Sequence, residues 1–392
     1  MELKKIVDLD ITNDRGISVD KTILSTDIRD ILDDKEINTV VEVIGGENPA
    51  KAFIEKALLS GKNVVTSNKE VIAKHGKYFT RIAKEHDCSI LYEAAVGGGI
   101  PVLHAIQNSL SGNNIEKIFG IVNGTTNYIL SKMAASGADF SGTLQEAQEL
   151  GYAEADPKND IEGYDVAYKL AILASLAFRC DIDYSRIFRE GITKISSEDI
   201  AAARQFGYTI KMLAMGINHK DSIELHVHPV MIENSHPLAT VNDVFNAIYI
   251  RGDNLGDSMF YGRGAGELPT ASAVVGDIMN LAFRKENGFT MDNEYDLEKR
   301  SILPMDECIT SFFIRYSVED KPGVLADIAA VFAKHTISIL SIQQIGSHKD
   351  TAAITAITHP VTERQMKLAL EELEKLDSVR EICSVIRVGL GE

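Results

Sequence analysis

Glu154, Asp156, Asp160 and Asp165 crowd into one short segment that leads to a lysine, Lys169. Asp165 and Lys169 are four apart, so a helix through them sets both on one face. Two kinds of chemistry fit that pair. One is a solvated ion pair worth ~0.2–0.5 kcal/mol. The other is an acid and a lysine held together to move a proton at a reacting oxygen. Acids just before a helix also suit its dipole, so Glu154 and Asp156 alone do not choose between the two.

Other residues carry chemistry by position. Lys69 follows a strand end and starts a helix, where a cation is unfavourable; its place there asks for an anionic partner. Ile44 and Gly45 end another strand, and the glycines let backbone approach a ligand or simply turn. Gly264 and Gly266 precede a helix whose N-terminus can meet phosphate or nicotinamide. Asp8 and Asp10 follow the first strand, where an acid can bind the ribose 2′-hydroxyl of NAD. With no arginine there for a 2′-phosphate, the loop favours NADH. His226 and His228 alternate on a strand and share a face like metal ligands; with no third ligand evident, they read as core histidines.

Elements that would place these residues alternate in type. Strands at 3–7, 39–44, 62–66 and 89–92 enclose helices near 26–33, 48–59 and after Ser67 or Asn68. That order predicts an α/β domain with a parallel sheet, whose ligands bind beyond the strand ends. No G-x-G-x-x-G turn occurs in the chain, so the domain reads as Rossmann-like but truncated at its N-terminus. From Ile100 the texture becomes α+β, with a helix at 102–109, a strand at 115–122, a turn at 123–127 and a helix from Tyr128. Residues 170–178 form an apolar helix, 223–228 a strand and 269–283 a helix. Residues 311–392 read β-α-β-β-α-β, a ferredoxin-like module. The predicted parts are 1–99, 100–284, a polar linker at 285–310, and 311–392.

Composition excludes several classes. Net charge is −17, from 57 acids and 40 bases, which argues against nucleic acid as a partner. Four scattered cysteines without a C-x-x-C pair fit a reduced cytoplasm and no disulfide scaffold. The first residues lack the apolar run of a signal peptide, and no stretch reaches the ~18 apolar residues of a membrane span.

Taken together, the strand ends 41–46, 64–69 and 92–101, the run 120–128, the acidic segment 151–169 and the loop 262–266 resemble homoserine dehydrogenase with a C-terminal ACT domain. The resemblance covers nearly the whole chain and departs at the N-terminus, where the family's first strand and glycine-rich loop have no counterpart. It implies reduction of L-aspartate 4-semialdehyde to L-homoserine with NADPH or NADH, on the way to threonine and methionine. It further implies Lys169 as catalytic acid/base with Asp165 as its partner, and Glu154 with Asp160 as the substrate grip. Ile44, Gly45, Lys69 and Gly266 would meet the cofactor. Glu93, Val96, Gly98 and Ile100 would hold a monovalent cation such as Na+. The ACT module would bind an amino acid effector, threonine, in a homodimer or homotetramer, with residues 262–283 packing back on the nucleotide domain. The rival reading is a non-catalytic amino-acid-binding regulator that has lost cofactor binding.

Overall fold

The computed structural model describes residues 1–219, 221–286, 297–348 and 351–391. At the N-terminus β1 (Ile6–Val7) pairs in parallel with β2 (Leu24–Ser25), followed by the short α1 (Arg29–Leu32). β3 (Thr39–Glu42), β4 (Asn63–Thr66) and β5 (Ile90–Leu91) then form a separate three-stranded parallel sheet. α2 (Ala50–Leu59) and α3 (Lys69–Glu85) make the crossovers. Their apolar stripes bury Ile54, Leu58, Ile72 and Phe79 with Val64 and Ile90 of the sheet. Asn68 caps α3 by accepting from Val71 N at 3.2 Å, which resolves the choice between Ser67 and Asn68.

The second part begins with α4 (Val102–His104), which runs into a π-helical turn at Ala105–Ser109. β6 (Ile115–Ile121) leads to α5 (Gly124–Ser136). The sequence predicts that helix from Tyr128, but it starts four residues earlier. The Asn123 side chain accepts from Thr126 N at 2.8 Å, so the expected turn is already capped helix. α6 (Phe140–Glu149), α7 (Lys158–Ile161), α8 (Tyr164–Phe178), β7 (Phe188–Arg189) and α9 (Ser197–Gln205) follow. Long antiparallel strands come next, β8 (Tyr208–Asn218), β9 (Ser222–Glu233), β10 (Phe245–Gly252) and β11 (Gly256–Arg263). α10 (Glu267–Glu286) then turns back, and its Val274 and Leu281 pack with Val65, Leu91 and Ala94 of the first domain.

α8 is apolar nearly all round, which commits it to the interior. It lies between α3 on one side and β6 and β8 on the other, and buries Leu170, Ala171, Leu173 and Ala174. Gly163 starts it in a left-handed turn (φ 81°), and a Cβ there would meet Met212 Cε at 2.7 Å. The acidic segment therefore enters the junction between the two domains.

Beyond α10, the described part of the predicted linker holds β12 (Ser301–Ile302) and a 3-10 turn at Met305–Glu307, and the next strand begins within its last residues, at Ile309; part of the linker lies outside the described residues. β13 (Ile309–Glu319), α11 (Val324–Lys334), β14 (Ile339–His348), β15 (Thr351–Thr358), β16 (Val361–Thr362), α12 (Glu363–Leu373) and β17 (Val379–Val388) complete the chain. The order β17-β13-β15-β14 is the ferredoxin-like arrangement, with α11 and α12 covering one face.

The sheet continues without a break from the second part into the third, in the order β11-β10-β6-β8-β9-β17-β13-β15-β14. The free side of β9 is met by three short parallel pairs. β12 takes residues 222–223, β7 takes 226–227 and β17 takes 230–231. Ion pairs back this seam: Arg315 Nε to Asp199 Oδ1 and Arg387 Nη1 to Glu190 Oε2, each 2.7 Å. Among the described residues, no helix is long and apolar enough to cross a membrane.

Candidate active site

Asp165 lies on the first turn of α8 and Lys169 one turn on. Lys169 Nζ donates to Asp165 Oδ2 at 2.7 Å and to Val122 O, at the end of β6, at 2.6 Å. The Asp165 side chain is 3% exposed and that of Lys169 10%, so this is no solvated pair. The other oxygen, Asp165 Oδ1, lies 2.7 Å from Lys69 Nζ, which comes from the start of α3. Lys69 thus has its anionic partner in the second domain, and its own side chain remains 45% exposed to the cleft.

Asn123 ties the acids together. While capping α5 with its oxygen, it donates through Nδ2 to Asp160 Oδ1 at 2.7 Å and to Asp165 Oδ2 at 2.9 Å. Sequence reasoning treated this residue as part of a turn. An Asn capping a helix beside paired acids is a signal only once the strand end is placed next to α8.

Electrostatics divides these groups. Burial pulls the Lys169 ammonium below the usual lysine range and Lys69 adds repulsion, against the pull of Asp165. Burial disfavours the Asp165 carboxylate, but the charges of Lys169 and Lys69 overcome that and hold it well below the usual range. Asp160 is raised, by burial first and by the Asp165 charge second. Burial lowers Lys69, yet Asp165, with smaller contributions from Asp160 and Glu154, leaves it raised. Glu154 itself is exposed on the loop before α7, on the side where its charge reaches Lys69. The arrangement is a buried lysine next to an ionised acid, with a half-buried acid and an exposed acid at its mouth.

The other residues singled out in the sequence fall nearby or apart. At the end of β3, Val43 and Ile44 are 62% and 56% exposed, an apolar surface at a strand end. Gly45 follows with φ 81°. Glu42, buried beneath, fixes this loop by accepting from Ile44 N at 2.7 Å and Thr66 Oγ1 at 2.6 Å. Gly266 (φ 114°) precedes α10, and neighbouring Gly264 leaves no room for a side chain against Asn246. These strand and helix ends, with exposed apolar surface and permissive backbone, fit a flat dinucleotide end.

Glu93 is buried, and Oε1 and Oε2 accept from the amides of Leu103 and His104 at 2.9 and 2.7 Å. Val96 and Ile100 are buried beside it, and Gly97 and Gly98 take positive φ. A Cβ on Gly98 would meet Gly264 O at 2.6 Å, so two glycine loops touch backbone to backbone. Asp8 needs a correction. Arg15, seven residues on, reaches back to Asp8 Oδ2 at 3.2 Å and to Asp10 O at 3.4 Å. The loop does carry a guanidinium, which folding rather than adjacency brings there. His226 and His228 lie buried on β9.

Comparison with known proteins gives a consistent result. Residues 1–93 match the family described as "Homoserine dehydrogenase, NAD binding domain", 101–279 that described as "Homoserine dehydrogenase" and 312–378 the ACT domain. The homoserine dehydrogenase of Synechocystis sp. is 42% identical over 398 residues, which cover 99% of this chain and 92% of that protein. The crystal structure of a homoserine dehydrogenase from Thiobacillus denitrificans superposes with a TM-score of 0.89 at 40% identity, covering 93% of this chain and 85% of that one. A hyperthermophilic archaeal homoserine dehydrogenase mutant in complex with NADPH gives 0.59 at 30% identity, covering 67% and 76%.

Proposed function

Because this chain belongs to the homoserine dehydrogenase family, we propose that Lys169, held by Asp165, moves the proton in the interconversion of L-aspartate 4-semialdehyde and L-homoserine. The observation that carries this is the buried Lys169–Asp165 pair, bonded at 2.7 Å and faced by Lys69 and Asp160. A bound NADPH or NADH supplies the hydride to the aldehyde carbon. Oxygen then gains negative charge, and the Lys169 ammonium gives it a proton. In the reverse direction the neutral amine takes the hydroxyl proton. A lysine lowered by burial serves both directions better than an ordinary one. Asp165 orients it, and its ionised state keeps Lys69 in place. Glu154 and Asp160 suit the substrate ammonium, one exposed and one held by Asn123.

Ile44, Gly45, Lys69 and Gly266 would hold the nicotinamide end of the cofactor. That the archaeal neighbour is a complex with NADPH supports a nicotinamide cofactor, and Arg15 beside Asp8 suits a 2′-phosphate. Glu93 keeps a lone pair on each oxygen beyond its amide bonds. With the carbonyls of Val96, Gly98 and Ile100 it would make a hard oxygen set for Na+. Threonine would bind at the ACT module near the turn 320–323 that starts α11, in a homodimer or homotetramer in the cytoplasm. The test is consumption of NADPH or NADH by purified protein given L-aspartate 4-semialdehyde, with and without threonine. Lys169→Ala should lower turnover by about 100-fold or more with fold intact. A near-normal rate in that variant, or no cofactor binding at millimolar concentration, would favour the non-catalytic regulator.

A further inference from the structure

The rings of His226 and His228 on β9 lie within 6° of parallel, with their centres 4.8 Å apart. Their hydrogen bonds assign the tautomers. His228 Nδ1 lies 3.0 Å from Pro229 O, which only accepts, so that nitrogen carries the hydrogen. With the hydrogen on Nδ1, its Nε2 is the acceptor. That Nε2 accepts from His226 Nδ1 at 2.8 Å. His226 is thereby fixed with Nε2 turned to Glu224 Oε2 at 3.6 Å. This is beyond a good hydrogen bond. It is close to the about 3.4 Å that separates two ligands on one tetrahedral ion with bonds of about 2.0–2.1 Å.

A third donor arrives from another part of the chain. Cys308, in the turn that enters β13, brings Sγ to within 4.8 Å of the Glu224 and His226 ligand atoms. The second Glu224 oxygen is held by His219 Nε2 at 2.7 Å. A cavity of about 270 Å³, lined by Arg186, Phe188, His226, Met305 and Cys308, adjoins the group and leaves room for a further ligand. Imidazole, carboxylate and thiol form a mixed N, O and S set with the outer-shell support that ligating histidines receive.

We propose that Glu224, His226 and Cys308 bind one zinc ion, with a water from the cavity as fourth ligand. On binding, the Cys308 thiol proton leaves to solvent and the thiolate bonds to the metal. One carboxylate and one thiolate then balance the two charges of the ion. The ion ties β9, in the catalytic domain, to the segment that leads into the ACT domain.

Chelator-treated full-length protein is titrated with Co2+ and then Zn2+. One Co2+ per chain should bind with a thiolate-to-cobalt charge-transfer band, which Zn2+ abolishes. Cys308→Ser should lose the band while circular dichroism and dehydrogenase activity stay as in the parent. Glu224→Gln, at a partly exposed position, is the second ligand variant and should weaken Zn2+ binding at least as much as His228→Gln. His228→Gln removes only the outer partner and should weaken it about 10–100-fold with the band retained. Binding well below one equivalent would overturn the proposal. So would a band that survives Cys308→Ser, since Cys88, Cys180 or Cys383 would then be the ligand.

Discussion

Lys69 Nζ and Asp165 Oδ1 lie 2.7 Å apart although one starts α3 of the nucleotide-binding domain and the other starts α8 of the catalytic domain. The same carboxylate holds Lys169 on its second oxygen. Two like charges thus share one acid, and the Lys69 charge lowers the proton affinity of Lys169.

A pH prediction follows with a definite sign. With Lys169 as the proposed base, oxidation of L-homoserine needs it neutral, so the rate should rise as pH passes upward through the Lys169 pKa. Burial and the Lys69 charge lower that pKa. Lys69→Met removes the nearby positive charge, so Lys169 should keep its proton to higher pH. The rising limb of the kcat profile should move to higher pH than in the parent protein; an unmoved or lowered limb contradicts the coupling.

Gly98→Ala should separate the two glycine loops. Its Cβ would lie 2.6 Å from Gly264 O, and the residue already has φ 52°. Neither obstacle is a flexible side chain. A loss of roughly 1–3 kcal/mol in urea unfolding is expected, with weaker NADPH binding because Gly266 lies on the displaced loop. Parent-like stability and cofactor affinity would show that the loops move freely.

Lys211 is buried on β8 and donates to Asn127 Oδ1 at 3.0 Å and Val241 O at 2.5 Å. Lys211→Met fills similar space but leaves Asn127 Oδ1 without that donor. Denaturant unfolding should show a loss of about 1–3 kcal/mol. A gain in stability would mean that the buried charge costs more than its bonds return.

Arg15→Ala should raise the KM for NADPH more than that for NADH, because the guanidinium beside Asp8 would meet a 2′-phosphate in that loop. Steady-state kinetics with both cofactors measures the ratio. An equal change for both would remove Arg15 from that role.

Much of this site was legible because it is local. Asp165 and Lys169 are four residues apart on one helix, and the strand ends carrying Ile44 and Lys69 were readable from alternating elements. Partners made by tertiary contact were not. Asn123 meets Asp160 and Asp165 only after β6 packs beside α8. Arg15 was missed because a loop folds it back on Asp8. Cys308 joins Glu224 and His226 only because the chain returns to β9 after α10. The ferredoxin-like order of the last module was legible from its elements. Its fusion to the catalytic sheet rests on two residue pairs, 387 with 230 and 388 with 231, which no periodicity marks.

That fusion also closes an open side of the catalytic sheet. A strand with an open side offers unpaired N–H and C=O groups to other chains. On β9 that side is covered in three short steps by strands from distant parts of the sequence. Trimming the chain before β17 would uncover residues 230–231 of a long, apolar strand and leave an adhesive edge. The terminal module therefore covers an edge that would otherwise be open to pairing with another chain.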